Sequence, residues 1–373
     1  MRRIFFISIV LTILLSIFTL SAEKLVLEWA VPLKDNILTQ LNQREQGGIT
    51  VFGKELLVMT SKGEMHLFST KGTIKKTIKF DGEFIHMPQV LDDGNLLVTV
   101  SNSIFLLNSK LEKIWSTSGK APFASRPLVK GPNIYAQFMD NSVYLLDRKN
   151  GEIKTAYSYY TDEDISMMRL SAPFFSNDKI VIGFSNGMII YFMHKMDPTE
   201  ELVPYFKFKT ARSMKLLEKK EFFDILSIIP YKDTIIFSNG ENGGIIVDGK
   251  IKKIKKMRNL NLIREKDNSI TGYGETGILK FAQDGKFLEQ PFKSKGYVTN
   301  CLNLGSSRFI TTTGAGSIIN YNEGHIHLLS PDYKKTLFSI MIPNGVSAFA
   351  TFKGNSVFIM SDMGVVYRFN VIK

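Results

Sequence analysis

His325 and His327 are alternate residues in an apolar, strand-forming segment, so on a β-strand both imidazoles point the same way. Two imidazoles on one face can begin a metal site, because neutral imidazole is a metal ligand. The neighbouring sequence offers no third ligand, and a partly exposed pair without metal is the plainer account. His66 occupies a similar strand and reads as a repeat position. Asp162-Glu163-Asp164 gathers carboxylates, the ligands calcium prefers, but lacks the Asp-x-Asp-x-Asp-Gly spacing of a calcium loop. A solvated loop is expected there.

Gly272-Tyr-Gly-Glu-Thr-Gly277 spells GxGxxG. Dinucleotide chemistry needs that motif between a strand and a helix, with the pyrophosphate at the helix N-terminus. Here Ile278-Leu-Lys-Phe281 follows, which predicts a second strand and therefore a hairpin. Cys301 is the only cysteine, so no intrachain disulfide, Cys-based metal site or CxxC redox motif exists. It is expected as a small buried hydrophobe in a strand. No Ser/His/Asp order and no catalytic carboxylate pair stands out. No catalytic, cofactor-binding or metal-binding set is expected, and the protein is read as a non-enzyme.

The densest charge run is Lys250 to Arg258, within a chain of formal net charge +12. Ile alternates with Lys in it, which suits a solvated outer strand whose edge is guarded by lysines. No nucleic-acid partner is expected, because the export signal described below argues against one. A peripheral attraction to an anionic membrane surface or an acidic partner stays open. Met214 to Asp224 is the most unusual stretch. Met214, Leu216, Leu217, Phe222 and Phe223 give it more apolar surface than a surface loop needs, and Asp224 ends it. One reading is a loop folded back over its own unit. The other is a partner-binding edge, since insertions in repeat proteins gather on the face they use.

What must position these residues is legible in the turns. Gly63, Asn102, Asn141, Gly187, Gly243, Gly277, Gly316 and Gly364 mark one hairpin turn repeated along the chain, each between short apolar strands. The units are Ile49–Phe80, Met87–Lys120, Ser125–Tyr160, Leu170–Phe208, Ile225–Arg258, Asn261–Ser294, Thr299–Ile342 and Val346–Lys373. Their spacing of roughly 35–55 residues falls in the range of propeller blades. The seventh is ambiguous, since either Ala315-Gly316 or Glu323-Gly324 could be its central turn. Period-two alternation runs from Leu25 to the end. Ala211 to Leu226 is the exception and could form a short helix or a structured loop. The last unit lacks an outer strand. Leu25-Val-Leu-Glu-Trp29 ends as Leu111-Glu-Lys-Ile-Trp115 ends, and these hold the only two tryptophans. Trp29 is therefore expected in the outer strand of the final blade, as Trp115 is in the second. The expected fold is all-β, an eight-bladed β-propeller of four-stranded antiparallel blades, closed by the N-terminal strand.

The start of the chain carries an address. Met1-Arg2-Arg3 precedes an apolar run from Ile4 to Leu20 and the small residues Ser21 and Ala22, the plan of a secretory signal peptide. The same run is just long enough to stay as an uncleaved anchor. The expected organisation is 1–22 as signal and 23–373 as one propeller domain. An exported chain without disulfides fits a bacterial periplasm. No cysteine lies beside Ser21, so no lipid anchor is expected there.

Two units carry a family likeness. Ser125-Arg-Pro-Leu-Val with Val143-Tyr-Leu-Leu-Asp-Arg-Lys-Asn-Gly151-Glu, and Ser171-Ala-Pro-Phe with Lys179-Ile-Val-Ile-Gly-Phe-Ser-Asn-Gly187, are similar to the PQQ-like propeller repeat. Eight such units after a signal resemble the BamB family of outer-membrane assembly factors. That resemblance implies a monomeric, non-enzymatic scaffold that binds envelope proteins, a β-barrel assembly subunit among them, and carries no cofactor. The chain departs from the family in lacking the lipid-bearing cysteine. Quinoprotein dehydrogenases share the repeat but use a vicinal cysteine pair, which one cysteine cannot supply. The alternative function is a small-ligand sensor or enzyme using the central channel.

Overall fold

A computed structural model describes residues 23–33, 45, 47–84, 86–158, 170–193, 202, 204–209, 224–231, 234–313, 323–343 and 345–372. They form eight four-stranded sheets, each wholly antiparallel. Blade 1 holds β2 to β5, at Gly48–Phe52, Glu55–Met59, Glu64–Ser69 and Ile74–Lys79. Blade 2 holds β6 to β9, at Gln89–Val90, Leu96–Val100, Ser103–Leu107 and Lys113–Ser118. Blade 3 holds β10 to β13, at Leu128–Lys130, Asn133–Gln137, Ser142–Asp147 and Ile153–Ser158. Blade 4 holds β14 to β17, at Phe174–Ser176, Lys179–Gly183, Met188–Met193 and Pro204–Lys209. Blade 5 holds β18 to β21, at Ile225–Tyr231, Thr234–Asn239, Gly243–Val247 and Lys250–Ile254. Blade 6 holds β22 to β25, at Leu260–Arg264, Ile270–Gly274, Gly277–Phe281 and Phe287–Lys293. Blade 7 holds β26 to β29, at Tyr297–Asn303, Arg308–Thr313, Glu323–Leu329 and Thr336–Pro343.

Blade 8 is assembled from both ends of the chain. β30 (Thr351–Lys353), β31 (Ser356–Met360) and β32 (Val365–Ile372) are followed by β1 (Lys24–Pro32) as the outermost strand. β1 pairs antiparallel with β32, from Lys24 opposite Ile372 to Pro32 opposite Val365. The N-terminal strand thus completes the last blade, as the Trp29–Trp115 parallel predicted. Glu323-Gly324 opens β28, so of the two candidate turns in the seventh unit it is the one ruled out. Gly316 lies outside the described residues.

First strands of neighbouring blades meet near the axis. Gly48 bridges Phe349 in parallel, Ser171 N donates to Ile225 O at 2.8 Å, and Leu170 N donates to Ala124 O at 2.9 Å. Fourth strands lie outside: β5 is exposed at five of its six residues and half-buried at the other. The second strands differ from the expected alternation. Leu96–Val100, Asn133–Gln137 and Ser356–Met360 are buried at every position. A middle strand has a neighbouring blade on each face, so both sets of side chains enter apolar layers and the period-two signal vanishes. The cores therefore sit between blades. Leu97, Ile104, Leu106 and Trp115 of blade 2 pack with Ile134, Ala136 and Tyr144 of blade 3.

Candidate functional site

Each blade junction carries a polar tie inside its apolar layer. Thr50 Oγ1 donates to Pro88 O at 3.3 Å, Gln89 Nε2 to Pro127 O at 2.7 Å, and Gln137 Nε2 to Gly183 O at 2.6 Å. Ile228 N donates to Ser171 Oγ and Leu262 N to Ser227 Oγ, both at 3.0 Å. Ala350 N donates to Asn300 Oδ1 at 3.0 Å, and Ile49 N closes the ring on Phe349 O at 3.2 Å. Buried backbone groups need such partners.

The sixth-to-seventh junction is ionic. Arg308 Nη2 lies 3.3 Å from Glu265 Oε2, with both side chains largely buried. Tyr333 Oη and Thr271 Oγ1 each donate to Glu265 Oε1 at 2.8 Å, and Arg308 Nη1 donates to Asn303 Oδ1 at 2.7 Å. Cys301 Sγ is 3.6 Å from Tyr333 Oη, and burial pushes its thiol up to about 11. It is a protonated thiol within a clasp and is not poised as a nucleophile.

The tryptophans perform one task at two junctions. Trp115 Nε1 donates to Arg148 O, and its ring lies against Gly151 of blade 3. Trp29 Nε1 donates to Thr70 O at 3.0 Å, and its ring lies over Gly72 of blade 1. Trp29 also stacks on Phe68 and reaches Phe358, with both centroid distances at 6.3 Å.

The GxGxxG motif is a hairpin between β23 and β24, with Glu275-Thr276 at its tip. A Cβ at Gly272 would fall 2.6 Å from Leu260 Cδ1, so this glycine lets the adjacent strand approach. The basic run forms β21, the exposed edge of blade 5, and then a 3-10 turn at Lys255–Met257. Lys256 Nζ sits 3.5 Å over the Phe287 ring. Between blades 5 and 6 a groove of about 350 Å3 is lined by Lys255, Lys256, Arg258, Glu275 and Phe287. A wider groove of about 760 Å3 lies at the turns of blades 1 and 2, lined by Phe52, Lys54, Lys71, Lys75 and Val90. Near the axis Met87, Arg126 and Ala172 each precede a proline that leads into an innermost strand. Arg126 reaches solvent yet is hemmed in by protein, which lowers its pKa by desolvation. This cation beside an innermost strand escaped sequence reading, although the Ser125-Arg-Pro motif held it in view.

Met214, Leu216, Leu217, Phe222, Phe223 and the acidic trio Asp162–Asp164 lie outside the described residues. Asp224 is buried immediately before β18. His325 and His327 do share a face of β28, with stacked rings 5.6 Å apart and 16° between planes. Burial, helped by His325, pushes His327 down to about 4. Among the described residues no group of three or more His, Cys, Asp and Glu side chains could hold a metal ion, and no helix is long and apolar enough to cross a membrane.

Residues 92–195 match the PQQ-type family model described as outer membrane protein assembly factor BamB. The match begins in blade 2, takes in all of blade 3 and ends in blade 4. No curated protein sequence matches the chain. In fold the chain is similar to BamB from Moraxella catarrhalis, with a TM-score of 0.70 and 13% identity over 93% of this chain and 100% of that one. It is also similar to the computationally designed Ika8 protein, with a TM-score of 0.65 and 12% identity over 88% and 97% of the two chains. At such identities the structural likeness shows the fold alone.

Proposed function

We propose that the protein is a non-enzymatic, BamB-like scaffold of the bacterial periplasm that binds partner proteins during outer-membrane protein assembly. The observation that carries this reading is the assembly-factor match across residues 92–195, set in a ring whose whole fold resembles BamB. The apolar segment from Met214 to Phe223, with Asp224 at its end, is proposed as one contact. The basic grooves suit acidic patches on a partner. The run from Ile4 to Leu20 supplies export, by cleavage or as an anchor. Affinity capture from a native envelope should recover a β-barrel assembly component, and deleting residues 214–223 should weaken that capture. Recovery of no such component, together with an unchanged outer-membrane protein profile after gene deletion, would reject the reading.

A small anionic ligand in the central channel is the second reading. Arg126 favours it, because that guanidinium makes no ion pair with any described residue. Arg126 by itself falls short of the converging groups a catalytic site needs. A thermal-shift screen with quinones, calcium and sugars separates the two, since a ligand of the folded state raises the melting temperature.

A further inference from the structure

The third ligand that the sequence around His325 and His327 could not supply comes from the next strand. In the β28–β29 ladder His325 is directly opposite Met341 and His327 is opposite Ser339. Directly opposed residues project from the same face with Cβ atoms about 5 Å apart. Met341 therefore stands beside His325, on the side that carries His327. Ile310, opposite His327, and Phe292 of blade 6 belong to one apolar cluster, so this face looks toward blade 6.

We propose that His325, His327 and Met341 form a three-coordinate binding site for a soft monovalent cation, Cu(I). Two imidazole nitrogens and a thioether are a donor set that selects Cu(I) over hard, oxygen-seeking cations. Alternate strand positions are about 6.6 Å apart, a span two inward-leaning imidazoles can bridge to one ion. The ring centroids are 5.6 Å apart and the planes within 16° of parallel, so one ring must rotate for both nitrogens to face a shared ion.

Two independent observations point to a ligand. His327 Nδ1 is buried and has no hydrogen-bond partner. Buried polar nitrogens are ordinarily paired, and an orphan calls for an explanation. Met341 is 54% exposed, more than any other large apolar side chain among the described residues. It is not there to fill the core. Phe292 closes one side of the pair, its ring 5.1 Å from that of His327 at 64°. An apolar wall of this kind limits water and favours the weakly hydrated ion.

The test is anaerobic titration of the purified full-length protein with Cu(I), buffered by bicinchoninate as a competing chelator. The wild type should take one equivalent. Met341→Leu conserves volume at an exposed position, so its copper-free melting temperature should match the wild type while its Cu(I) affinity falls tenfold or more. His325→Gln should lose affinity as strongly, and Cys301→Ser should keep it. X-ray absorption should show a sulfur scatterer in the wild type that Met341→Leu lacks. The proposal is overturned if the protein takes no copper from bicinchoninate. It is equally overturned if Met341→Leu and His325→Gln bind as tightly as the wild type, or if Cys301→Ser alone abolishes binding.

Discussion

The indole of Trp115 belongs energetically to the blade that follows its own. Its ring lies where a Cβ on Gly151 would be, and its Nε1 hydrogen reaches Arg148 O. Sequence alone paired Trp115 with Trp29 by their matching strand ends, but gave no sign of the glycines beneath them. Those contacts join turns that lie more than thirty residues downstream. The histidine pair shows the same boundary: spacing placed His325 and His327 on one face, while Met341 became visible only through strand register. His327 also sets a pH response. Its folded-state proton affinity lies below the ordinary imidazole value, so the unfolded chain binds the proton more readily. The stability it contributes is fully present above about pH 6.5 and is lost as pH falls toward 4. His66 is also lowered by burial, so its contribution changes with pH in the same direction. In copper-free protein, His327→Gln should flatten the fall of the urea midpoint between pH 6.5 and pH 4. An unchanged slope would show that His327 does not carry that response.

At the scale of elements, turn chemistry was the strongest sequence signal and middle-strand patterning the weakest. Gly63, Gly187 and Gly364 have φ of 79°, 77° and 76°, values that disfavour other residues, so they marked hairpins reliably. Second strands buried on both faces look alike in sequence, and their order in the ring came from the turns between them. The candidate contact segment was legible as excess apolar content, but a composition signal gives no geometry. β1 is the element with the largest consequence. It covers the edge of β32, sends Trp29 to blade 1 and places Leu25 in the layer between blades 7 and 8. Removing Glu23 to Trp29 should lower the melting temperature of the whole domain, because an exposed edge and two thinned layers result. A trimmed protein that melts with the intact one would contradict closure by β1.

Over the whole molecule, the eight junctions are alike in kind: an apolar layer crossed by a polar tie. An open array of repeats can fray from its ends, since terminal units have a single neighbour. This ring has no terminal unit, because Ile49 N bonds Phe349 O and Arg368 Nη1 donates to Thr70 O across the last junction. The two tryptophans are natural probes of that closure, one at the blade 8–blade 1 junction and one between blades 2 and 3. Single-tryptophan variants, Trp29→Phe and Trp115→Phe, should each show one denaturant transition, with the two signals coinciding when both are corrected for the small stability change of each substitution. Well-separated midpoints within one variant would mean that arcs of the ring unfold independently.

The pairing of Leu25 with Val371 also has a meaning in time. Synthesis makes β1 first and its partner last. Every other blade can assemble from strands made in succession, but blade 8 must wait for almost the entire chain. Contacts of such separation form slowly, because the chain between them must first be ordered. Through that interval the first strand is a bare, apolar edge in search of a partner. The ring is thus joined at its oldest and youngest strands, and the moment of joining is when folding becomes complete.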